Sequence, residues 1–166
     1  MTIEQDINVI SAGLADWVQK NGGSIHVAHD VPHMYRLLAG AAGKACLAVL
    51  FVGEKPRNET YSDIEGRCDR RYWIAISRGY TLESYAGKSL IEGVAGGKPM
   101  FVLLSTLKAA IRKLRFDSNA EPVPYFQGIE LLTFEGITLD AYREEIVVGS
   151  DDGDILPNPD ANVSAT

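Results

Sequence analysis

The chain has 166 residues, 46% of them hydrophobic and 23% charged, which fits one globular domain able to bury a core. A formal net charge of −6 excludes a protein that wraps nucleic acid with a basic, phosphate-binding face. No run reaches the roughly 18 apolar residues of a membrane-spanning helix, and two cysteines, Cys46 and Cys68, make no disulfide framework.

Thr2 to Lys20 is predicted to be a helix. Thr2 and Gln5 form a capping-box pattern, Glu4 and Asp6 lie in the first turn, and Ile3, Ile7, Ile10, Leu14, Trp17 and Val18 recur at helical spacing. This acidic, amphipathic start does not read as a secretory leader, and the expected compartment is the reducing cytoplasm. Asn21-Gly22-Gly23 stops the helix. Ser24 to Val27 reads as a short strand. Asp30 then reads as the N-cap of a second, shorter helix with Pro32 just inside it.

"CLAVLFVG" (Cys46 to Gly53) reads as a strand buried on both faces, and "RYWIAISRG" (Arg71 to Gly79) as its partner. The polar stretch Glu54 to Arg70 between them is expected to be a long loop. A second long loop, Tyr80 to Lys98, is rich in glycine. Pro99 then opens the most apolar helix, with Met100, Leu103, Leu104, Leu107, Ile111 and Leu114 on one stripe and the segment running to Phe116. "PYFQGIELLTFEG" and "ITLDAYREEIVVG" read as a closing pair of strands. Strands adjoin one another rather than alternating strictly with helices, so the predicted class is α+β: a largely antiparallel sheet packed by the N-terminal and long central helices. The domain is expected to span residues 1–149. Residues 150–166 carry four aspartates and no base, and read as a flexible acidic tail that folding does not need; the rest of the chain is left at −2.

Four candidates for chemistry present themselves. His26, His29 and His33 crowd together with Asp30, but they fall on a strand, a turn and a helix start. They therefore share no helix face, and no second ligand pair completes a structural zinc site. Gly87-Lys88-Ser89 ends like a phosphate-binding loop, yet Leu82 stands where the motif needs a glycine. Neither cysteine has a motif that would activate it, and no Gly-x-Ser-x-Gly elbow occurs. Glu144 and Glu145, as strand neighbours, should point to opposite faces and so cannot share a proton. No enzyme, metal or cofactor is expected. The rival reading is a small metal-dependent enzyme built on His26, His29 and Asp30.

In element order, and in the segments "ACLAVLFVGEKP", "RRYWIAISRG", "MFVLLSTLKAAIRKLRF", "YFQGIELLTFEG" and "DAYREEIVV", the chain resembles the tail terminator (tail-tube completion) proteins of long-tailed bacteriophages and related neck proteins. The likeness covers most of residues 1–148 and contains no signature motif, and the family it implies has no catalytic residues to transfer. It implies a structural virion protein of the tail or neck, assembled from the host cytoplasm. Such a protein forms a typically hexameric ring that caps the tail tube and joins it to the head-tail connector protein, with DNA passing through the channel without specific binding. Another neck or head-completion protein is the near alternative. The loop Lys55 to Arg70 mixes arginines with carboxylates, as a register-setting subunit contact would, and Arg57, Arg67 and Arg70 are its candidate interface residues.

Overall fold

The computed structural model describes residues 2–41, 44–56, 68–80, 98–116, 125–134 and 137–150. The elements are α1 (Ile3–Lys20), β1 (Ser24–Ala28), α2 (Val31–Ala39), β2 (Cys46–Pro56), β3 (Cys68–Tyr80), α3 (Met100–Ile111), β4 (Tyr125–Phe134) and β5 (Ile137–Ser150). This is the predicted order. The tail beyond Ser150, most of both long loops and the Gly87-Lys88-Ser89 sequence lie outside the described residues.

The capping box opens α1: Thr2 Oγ1 accepts from the Gln5 amide at 3.2 Å, and Gln5 Oε1 accepts from the Thr2 amide at 2.7 Å. At the far end Gly22 takes a positive φ of 63°. Gly23 is there for a different reason. A Cβ on it would lie 2.0 Å from the carbonyl oxygen of Ala45, which already accepts the Ser24 amide at 3.0 Å. The chain can enter β1 only by passing against the start of β2. Asp30 caps α2 as expected, its Oδ1 accepting from the His33 amide at 2.7 Å.

Because α2 connects β1 to β2, those two strands run parallel, with Ser24 opposite Cys46 and Ala28 opposite Leu50. The remaining pairs are antiparallel, in the order β1-β2-β3-β5-β4. The architecture is therefore α+β, a largely antiparallel sheet with helices against it. Leu47, Val49, Tyr72, Ile74, Ile76, Ile146 and Val148 face α1 and α3 in the main core. Ala48, Leu50, Ala75 and Ala141 face α2 on the other side, with Trp73 packed at the margin. Alternate residues of β2 thus enter two cores, as its continuous apolar run requires.

Two boundaries differ from expectation. The ladder between β2 and β3 continues through Glu54↔Arg70 to Pro56↔Cys68, so the first loop is shorter than its polar composition suggests. A bulge at Val52, with Gly53 at φ 153°, lets the pairing resume beyond the apolar run. Conversely, α3 ends at Ile111, and Leu114 and Phe116 are buried without being helical. Among the described residues, no helix is long and apolar enough to cross a membrane.

Candidate subunit interface

The strands overrun the helices. At 14 residues β5 is about 46 Å long, whereas the 18 residues of α1 span about 27 Å. The excess of β2, β3 and β5 lies at the end where α1 begins, and there Ser150 pairs with Cys68. The paired ends of β2 and β3 there, Glu54 to Pro56 with Cys68 to Arg70, form a hairpin arm; the connection, 57–67, contains Arg57 and Arg67 and lies outside the described residues.

Arg70, the third interface candidate, is placed inward. Its side chain is 1% exposed and lies between two acids: Nη1 donates to Asp6 Oδ2 at 3.3 Å and Nε to Glu54 Oε1 at 2.6 Å. Tyr72 donates its hydroxyl to the same Asp6 oxygen at 2.7 Å. Burial pushes the Asp6 carboxyl above the usual carboxylate range, partly offset by the Tyr72 and Arg70 hydrogen bonds. Burial, reinforced by Asp6, also pushes the Tyr72 phenol upward. The cluster ties the first turn of α1 to the arm. Arg70 therefore holds the subunit together, and reversing its charge would leave the buried Asp6 carboxylate and the partly exposed Glu54 facing a third carboxylate.

The two glutamates of β5 do diverge. Glu145 accepts from Arg71 Nε at 2.6 Å and from Trp73 Nε1 at 3.0 Å, while the Arg143 guanidinium sits 3.7 Å from the Trp73 ring centroid. This half-buried ladder lies on the α2 side of the sheet. Glu144 enters the opposite face at 1% exposure, and neither carboxylate oxygen has a hydrogen-bond partner. Desolvation raises its pKa, with Lys108 of α3 and Arg112 just after it opposing the rise.

The histidines occupy the predicted strand, turn and helix start. His26 Nε2 contacts Ser24 Oγ at 3.0 Å, whereas the rings of His29 and His33 stack with centroids 4.1 Å apart and His29 Nε2 lies 3.4 Å from Asp30 Oδ2. Among the described residues no group of three His, Cys, Asp or Glu side chains is arranged to hold a metal ion. Cys46 is a buried thiol whose pKa burial pushes up, the opposite of what a nucleophile needs.

Both edges of the sheet are open among the described residues. No further strand pairs with the outer side of β1 or of β4. Val27 of β1 and Val31 just after it are exposed, at 49% and 37%. An edge strand presents a row of unpaired amides and carbonyls, and here charge does not blunt it, for Ser24–Ala28 carries no lysine or acid.

No family model and no curated protein matches the chain. Among solved structures it is similar to the PVC sheath/tube terminator of an extracellular contractile injection system, seen by cryo-EM in the extended state. The TM-score is 0.43 and the identity 14%, over 100% of this chain and 63% of that one. The chain thus spans less than two thirds of the length of the protein it matches.

Proposed function

We propose that this chain is a structural subunit of a ring, six copies in the closed form, which terminates the tube of a phage-type tail and joins it to the head-tail connector. The observation that carries the reading is that β1 and β4, on opposite sides of one continuous sheet, are both open edges among the described residues. Unlike surfaces on opposite sides of a subunit make heterologous contacts, which close into rings when the rotation allows. The element order agrees with the resemblance in sequence, and the hairpin arm supplies a second reach toward a neighbour. The tube terminator noted above has a role of the same kind, though the reading rests on the edges and the sequence segments. A net charge of −2 outside the tail suits a channel that lets DNA slide, since a basic lumen would hold phosphates.

Deleting the gene from the parent particle tests the joining role. Filled heads and unattached tails should accumulate separately. Normal yields of joined, infectious particles would overturn the proposal.

A further inference from the structure

We propose that Glu144 is a proton-controlled seat for the C-terminal end of α3. Neutral, it lets the helix end lie on the sheet; ionised, it is hydrated only when that end lifts. The device belongs to a single subunit and needs no ring.

Glu144 sits on β5 in the main core, with Tyr142 and Ile146 on either side of it along the same face. Ile74 of β3 stands opposite it in one ladder and Ile129 of β4 in the other. The residue is 1% exposed, and neither carboxylate oxygen has a hydrogen-bond partner. Buried polar groups in folded proteins are nearly always paired, so a carboxyl left unpaired here marks a place where charge state matters. Ionised, it would lose its hydration and receive no hydrogen bond in return.

The strand cannot carry that charge to water. β5 is laddered to β3 on one side and to β4 on the other, and this register holds Glu144 against the helix layer. What covers Glu144 is therefore the part that must move. Lys108 and Arg112, four residues apart, share one face at the end of the helix. Theirs are the positive charges that Glu144 feels, which places it beneath this last turn. Leu107 and Ile111 of the same turn, and Leu114 beyond it, enter the core by apolar contact. Such contacts part without breaking the strand ladder, so the helix end opens more readily than the sheet. The other titratable groups along this face of the described strands are phenols: Tyr142 on β5, and Tyr72 on β3, whose hydroxyl is given to Asp6. From α1 the same core receives Ile10, Leu14, Trp17 and Val18, none of which titrates.

Burial raises the Glu144 pKa in the closed form, whereas an opened, hydrated carboxyl has the ordinary value of about 4.3. The closed seat is thus fully favoured below that value. Above it, opening grows by up to about tenfold per pH unit, and it levels off once pH passes the folded value. Lys108 and Arg112 lower the folded value and so shorten the window.

Hydrogen exchange of the full chain and of Glu144→Gln, followed by NMR from about pH 5 to about pH 8, tests this. Dividing the parent's rates by the variant's removes the pH dependence of exchange chemistry itself. For the amides of residues 107–111 the ratio should rise at least about tenfold over that range. At about pH 8 the same amides of the parent should also be at least about tenfold less protected than those of residues 47–50 in β2. A ratio that stays flat with pH would overturn the proposal, because no opening would then be linked to the Glu144 proton. Equal protection in α3 and β2 would overturn it too, since the charge would then act only through global unfolding. Glu144→Leu, which cannot ionise either, supplies the same ratio if the glutamine variant fails to fold.

Discussion

Arg70 holds two carboxylates, and each depends on it. Arg70→Met would strand the buried Asp6 beside an apolar side chain, and removing one partner from a buried ion pair costs about 3–5 kcal/mol. Urea unfolding at neutral pH should show that loss, and adding Asp6→Leu should recover part of it, because the Asp6 charge then no longer lacks its partner. A single variant as stable as the parent would contradict the buried network. Glu144 makes the opposite case, since its carboxylate is buried with neither oxygen hydrogen-bonded. Its folded pKa lies above the unfolded value, so folding favours the protonated form. That stabilisation is fully present below the ordinary glutamate pKa and is lost as pH rises through the folded one. Glu144→Gln should therefore melt above the parent at about pH 8, and the gap should shrink toward about pH 4. Asp6 titrates in both proteins and cancels from the comparison. A variant that melts lower at about pH 8 would show that Lys108 and Arg112 compensate the charge.

At the scale of elements, the tightest joint is the passage from α1 into β1. Gly23→Ala forces a Cβ against the Ala45 backbone, which cannot swing aside, and overpacking of this kind costs about 1–3 kcal/mol. Thermal unfolding should register it, and an unchanged midpoint would mean that the helix exit relaxes. What the sequence made legible was local. The capping box, the Asp30 cap and the alternation of Tyr72, Ile74 and Ile76 against Trp73 and Ala75 each depend on residues a few positions apart. The helix-like spacing of Leu114 misled because a buried residue after a helix continues the same apolar beat. Glu54 to Pro56 and Cys68 to Arg70 read as loop because polar strand residues carry no periodic signal. Their pairing becomes visible only in register. The burial of Arg70 was not legible at all, since its partner Asp6 lies 64 residues away. Nor could spacing place α2 on the opposite face from α1 and α3.

For the whole molecule, the proposed ring draws on two sheet edges open among the described residues, the paired ends of β2 and β3, and a nearly neutral body. Arg57 and Arg67 belong to that scale as proposed contacts of the arm. Reversing both charges to Glu should weaken association at least about tenfold while leaving the melting midpoint of the dilute subunit unchanged, because rim charges act mainly on encounter and register. Sedimentation at matched concentrations measures this; association at the parent strength would remove the two arginines from the interface. The central claim concerns place, and gold labelling tests it most directly. The protein would carry a tag in its parent particle and be imaged by electron microscopy. The account predicts label at the head-proximal end of the tail, at a single level and in a number of copies consistent with one ring. Label spread along the tube, label at the distal tip, or a chain that never enters the particle would contradict it.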